Sequence, residues 1–147
     1  MYHYRGTGLD NVYLENGYHE VEYGDEVATS VVNVEGLHKA IATALISQSA
    51  KLGGKEIRFL RNEMDMPQTG LADLLDVNVQ TIANWEKGNH AIKGPAEKLI
   101  RLYAGARLLN RDSKIGKLLE QFAKIDSHEI AERLYFSQTE EVWEEAA

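Results

Sequence analysis

The chain has no cysteine among its 147 residues, which excludes disulfides and any thiolate metal site and suits a reducing cytoplasm. No apolar run of about 18 residues is present, and the N-terminus lacks the basic, apolar and small-residue order of a secretion signal. A soluble, cytoplasmic protein without a membrane span is therefore expected. No Ser/His/Asp or Cys/His arrangement stands out, no glycine-rich phosphate loop occurs and the carboxylates are scattered. Neither an enzyme nor a cofactor is expected, and no catalytic residue is assigned. There is no internal repeat and no low-complexity tract apart from the acidic run 140–145. His3, His19 and His38 share one region, but their spacing matches no short ligand pair, so no metal site is expected.

Excess positive charge is also missing, since the net charge is −7. The balance is uneven along the chain. Residues 1–50 hold 2 Lys/Arg against 7 Asp/Glu, residues 51–107 hold 9 against 7, and residues 108–147 hold 5 against 9. Only the middle stretch is net positive, by +2, and attraction to a polyanion would have to act there, helped by specific contacts and dimerisation. A hydrophobic content of 44% is enough for one compact domain or two small ones, and two are favoured.

Residues 1–34 are rich in Tyr, Val, Gly and Asn and alternate in short stretches such as 11–14 and 18–23. These read as strands of a small antiparallel meander, with turns at Asn16-Gly17 and Gly24-Asp25. From Glu35 the pattern becomes helical through Leu37, Ala40, Ile41, Ala44 and Leu45 and weakens near Ser47, so 47–54 reads as a linker. Ile57, Leu60 and Met64 mark the next helix.

The most informative stretch is 67–88, PQTGLADLLDVNVQTIANWEKG. Its spacing predicts two short helices joined by a tight turn. Leu71, Ala72 and Leu75 would be buried on the first, Val77 in the turn, and Ile82 and Trp85 on the second. Asn78 is a good N-cap, and Gly88 stops the second helix after Lys87. Asn78, Gln80, Thr81 and Asn84 remain outward. This is the layout of a DNA-binding helix-turn-helix. Pro95 suits the first turn of a later helix carrying Leu99, Leu102, Ala106 and Leu109. Another amphipathic stretch runs 113–125, and 127–129 leads into an apolar segment, 130–134.

At Gln68, Ala72 and Trp85-Glu86-Lys87-Gly88 the chain resembles the lambda-repressor-like (Xre) family. It departs from that pattern at Asp76, where the family usually has Gly, and at Gly70, inside a helix. Asp tolerates left-handed backbone better than most residues, and an interior Gly costs about 1 kcal/mol relative to Ala. The stretches 8–16, 23–26, 35–38 and 56–61, with the acidic finish 138–143, resemble MqsA-type (YgiT-like) antitoxins and regulators. Many of these carry zinc on paired cysteines in the N-terminal module; none is present here, so zinc is not implied.

The resemblance implies an α+β fold. A small β-rich N-terminal module with one helix (1–50, for dimer or partner interaction) precedes an all-α, five-helix lambda-repressor-like helix-turn-helix domain (51–109) and a helical acidic tail (110–147). It also implies that Glu86 pairs with Arg61 as a brace. Gln68 would brace the recognition helix on phosphate, and Val79, Gln80 and Asn84 would meet base edges. Asn78 and Thr81 could cap and pack or reach phosphate, and Lys87 and Lys93 would lie by the backbone. Two functions remain open: a homodimeric repressor of double-stranded DNA with an inverted-repeat operator, or an antitoxin that neutralises an RNase toxin through its N-terminal module and autoregulates its operon.

Overall fold

The computed structural model describes residues 1–109, 114–125 and 133–145. Two short sheets open the chain. Strand β1 (Tyr2–His3) pairs antiparallel with β2 (Tyr13–Leu14), and β3 (Tyr18–Tyr23) pairs antiparallel with β4 (Glu26–Val31). The second pair turns at Gly24-Asp25, as expected, with Tyr23 opposite Glu26 and Gly24 at φ +60. The expected meander does not form. β2 takes its partner from β1 upstream, and Asn16-Gly17 links the two sheets instead of closing a hairpin. Gly17, at φ +80, accepts the Val32 N–H at 2.8 Å and so begins the second ladder. The Tyr2 and Tyr18 rings, 5.3 Å apart, tie the two sheets together.

Helix α1 (Val34–Ser47) starts at Asn33, whose left-handed backbone lets its side-chain oxygen accept the Gly36 N–H. It buries Ile41, Ala42 and Leu45 on one face. Among the described residues five further helices follow: α2 (Gly54–Glu63), α3 (Gln68–Leu75), α4 (Val79–Lys87), α5 (Gly94–Ala104) and α6 (Lys114–Phe122), with a π-helical turn, Gly105–Leu109, extending α5. A single buried cluster runs from Tyr4, Leu9 and Leu14 through Leu45 and Leu60 to Ile82, Ile100 and Tyr103. Apolar side chains on both sides of Gly53-Gly54 therefore share one core. His38 is part of the seam: it hydrogen-bonds the Tyr4 hydroxyl through Nε2 and the Glu63 carboxylate through Nδ1, each at 2.8 Å. Because an ionised carboxylate can only accept, the proton sits on Nδ1 and Nε2 accepts from Tyr4 in the neutral ring. Among the described residues no group of three or more metal-ligating side chains occurs, and no helix is long and apolar enough to cross a membrane.

The stretch expected as a linker is tightly held. Leu52 is buried, its N–H donates to Glu97 Oε1, and Arg101 reaches the carbonyls of Ile46, Gln48 and Ala50. Arg101 also donates to Glu97 Oε1 from Nε and Nη2, so one buried carboxylate orients the guanidinium that caps the end of α1. Burial pushes the Glu97 carboxyl up, but the Arg101 hydrogen bonds, the Leu52 N–H and the charges of Arg101 and Lys51 outweigh it and hold its pKa below the ordinary value. A depressed folded pKa stabilises above the unfolded value, about 4.3, and that stabilisation is lost as pH falls through the folded one. Wild type should therefore melt above Glu97→Gln at neutral pH, with the gap narrowing steadily below about pH 4. A constant gap from pH 7 to pH 3 would contradict this assignment.

The tail departs from the all-helical expectation. α6 lies within the predicted amphipathic stretch, but β5 (Phe136–Thr139) and β6 (Val142–Glu145) then pair as an exposed antiparallel hairpin. Glu140 and Glu141 make its two-residue turn, both at positive φ. The segment expected at 127–132 lies outside the described residues.

Candidate nucleic-acid interface

Helix α3 begins after Pro67, whose φ of −72 suits the residue before a helix, and places half-exposed Gln68 at its first turn. Leu71 and Ala72 are buried as expected. Leu74 is also buried, whereas Leu75 is only partly so, a correction to the predicted face. Leu74 lines one shallow cavity with Phe122, the last residue of α6, and Ala123 just beyond it. The chain then turns at Asp76, left-handed at φ 53 and ψ 48, with its N–H directed to the carbonyls of Ala72 and Asp73. Aspartate thus takes the conformation that the resemblance assigns to glycine.

Asn78 caps α4, its Oδ1 accepting the Gln80 N–H at 2.8 Å. Its side-chain oxygen is thereby committed to the cap. Ile82 and Trp85 point inward and are buried, while Val79, Gln80 and Lys87 are exposed and Thr81 and Asn84 half-buried. Gln80 Nε2 donates to Asn84 Oδ1 at 3.4 Å. The helix ends at Gly88, left-handed at φ 80. Lys93, exposed, immediately precedes α5 at its N-cap. The structure therefore gathers Val79, Gln80, Asn84 and Lys87 on α4, with Asn78 at its start, while Gln68 and Lys93 sit at the openings of two other helices.

The scaffold behind this face is polar where it matters. Arg61 Nε and Nη2 donate to Glu86 Oε2 and Oε1 at 2.9 and 2.8 Å, and its Nη1 donates to the Met66 carbonyl at 2.9 Å. The side chains are only 11% and 4% exposed. One guanidinium thus joins α2 to α4 and holds the residue before Pro67, which fixes the start of α3. Glu86 is thus paired with Arg61 across two helices, as the resemblance implies.

A lambda-repressor-like helix-turn-helix domain occupies residues 57–104, which match the helix-turn-helix family. The match spans α2 from Ile57 to the end of α5 and includes both helices and the turn described above. No curated protein and no solved structure matched the chain. The helix-turn-helix family suggests a DNA-binding regulator. Sequence reasoning overlooked the Glu97–Arg101 pair at the end of this domain, although its i,i+4 spacing was a visible signal. It also did not foresee that Asn89 Nδ2 donates to Asn84 Oδ1.

Proposed function

We propose that this protein is a sequence-specific DNA-binding transcriptional regulator that represses as a homodimer on an inverted-repeat operator, with no enzymatic role. The observation that carries the reading is the division of α4 into two faces. Ile82 and Trp85 lock one into the core, and the other offers exposed Val79, Gln80 and Lys87 and half-buried Asn84. A helix of nine residues fits the major groove, where amides pair with adenine and an aliphatic side chain can meet a thymine methyl. Gln68, Thr81 and Lys93 would add phosphate contacts that set register without reading sequence, and Asn78 would cap. A second copy is supported by exposed apolar residues on α5, the π turn and α6, namely Leu102, Leu109, Leu118 and Phe122. Two-fold symmetry would then set two α4 helices about 34 Å apart.

Footprinting on the DNA upstream of the chain's own gene should reveal two protected blocks one turn apart. On that site Gln80→Ala and Asn84→Ala should each lose about 1–3 kcal/mol and flatten preference at one or two base positions. Lys87→Ala should weaken all sequences alike and lower the salt slope by about one unit. Competition among single-base operator variants at two salt concentrations separates these effects. If Gln80→Ala spared the preference profile and Lys87→Ala changed it, α4 would be docked in another way.

One observation favours the second reading, an MqsA-type antitoxin with an RNase toxin as partner. The β3–β4 hairpin is exposed along most of its length and carries Glu20, Glu22, Asp25 and Glu26, a surface suited to a basic protein. A short basic RNase-like frame beside the gene would support it, with repression then serving autoregulation.

A further inference from the structure

The end of α4 carries a side chain back onto the exposed face. Gly88 N–H donates to the Trp85 carbonyl at 3.1 Å, and Asn89 N–H to the Asn84 carbonyl at 2.9 Å. These are the paired bonds of a Schellman ending, which the left-handed Gly88 allows. Since the Asn89 backbone is tied to the Asn84 backbone, the two side chains start together. Asn84 Oδ1 then receives two amide hydrogens, from Asn89 Nδ2 and from Gln80 Nε2, each at 3.4 Å.

That double engagement changes what Asn84 can read. A free asparagine pairs with adenine through both ends of its amide, accepting from N6 and donating to N7. Here Oδ1 is occupied, so Asn84 presents only Nδ2–H, and the acceptor must come from Gln80 Oε1 one turn earlier, whose own nitrogen faces Asn84. We propose that Gln80 and Asn84 read a single adenine jointly, one as donor and one as acceptor, and that Asn89 is the positioning residue that keeps them in that relation. Turning all three amides over together exchanges donor and acceptor between Gln80 and Asn84 and still leaves one of each outward. Guanine presents two acceptors, N7 and O6, so it meets the outward acceptor with an acceptor. Without Asn89, Asn84 is held on one side only, and its amide can turn to offer donors that guanine accepts.

The inference rests on the DNA-reading role proposed for α4, and the test separates the two. Purified full-length protein and its variants are each used to enrich a randomised duplex library, which is then sequenced. Wild type should favour adenine over guanine by about tenfold or more at one position, as a well-placed amide pair does. Gln80→Ala and Asn84→Ala should lose the preference at that same position. Asn89→Ala should reduce it to about threefold or less, with melting temperature and low-salt retention of bulk duplex unchanged. Asn89→Asp, which can hold Asn84 through its nitrogen instead, should keep most of it. An unaltered ratio in Asn89→Ala, an Asn89→Asp ratio as low as that of Asn89→Ala, or loss at different positions in Gln80→Ala and Asn84→Ala would overturn the joint reading. Wild type enriching no sequence would overturn the DNA-reading role itself, and this inference with it.

Discussion

Arg61→Ala and Glu86→Ala should each lower stability by about 3–5 kcal/mol, because either change strands a buried charge whose partner is gone. In a chain of this size that is roughly a 10 °C fall in melting temperature or more. The pair is joined by two hydrogen bonds and nearly excluded from water, so solvent cannot replace the missing group. Arg61→Ala should be the worse of the two, since it also releases the Met66 carbonyl and with it the start of α3. Replacing both residues by apolar ones of similar volume, Arg61→Met with Glu86→Leu, should recover much of the loss, as buried pairs contribute less than their single deletions suggest. Base preference on any bound duplex should be unchanged in whatever fraction remains folded. Thermal melting of the four proteins, together with competition among duplexes, checks both halves. An unchanged melting point with an altered preference would make Glu86 a reader and not a brace.

The helix-turn-helix was legible because its determinants are local. Apolar spacing placed Ile82 and Trp85 in the core, Asn78 and Gly88 bounded α4, and Asp76 could adopt the left-handed turn. The Arg61–Glu86 brace joins residues 25 apart and was reachable only through the family resemblance. What failed was non-local or lacked its usual marker. β1 is two residues long, too short to show alternation, so β2 was given the wrong partner. Leu74 shares a cavity with Phe122, nearly 50 residues downstream. Arg101 binds carbonyls more than 50 residues earlier, and nothing in the composition of 47–54 announces that. The tail hairpin turns on Glu140-Glu141, where a two-residue turn with positive φ is ordinarily signalled by Asn-Gly or Asp-Gly. The β-forming residues around it, Tyr135, Phe136, Val142 and Trp143, were the remaining cue.

The two adjacent glycines at the start of α2 should respond in opposite ways to substitution. A Cβ on Gly54 would lie 2.2 Å from the Trp85 carbonyl oxygen and 2.8 Å from that of Glu86. Both are backbone atoms in the last turn of α4, and no side-chain rotation can clear them. The first turn of α2 and the last turn of α4 must therefore separate, which disturbs the geometry of the Arg61–Glu86 brace and tilts the helix carrying Gln80 and Asn84. Overpacking of this kind costs about 1–3 kcal/mol, and the rigid obstacle puts Gly54→Ala at the upper end of that range or beyond it. Binding to duplex should weaken along with stability, because the displaced element is the proposed reader. Gly53 differs: the nearest atom to a Cβ there is Glu56 Oε1 at 3.5 Å, an ordinary contact, and its φ of −86 is open to any residue. It is the N-cap of α2, and its N–H already donates to Glu56 at 2.8 Å. Gly53→Ser would add a hydroxyl able to accept from the first turn, completing a reciprocal cap. Its stability should match or slightly exceed that of wild type, by about a few tenths of a kcal/mol. Parallel denaturation of the two variants decides the matter. If Gly54→Ala melts with wild type while Gly53→Ser collapses, α2 and α4 cross at a different point and the brace does not set the angle of the recognition helix.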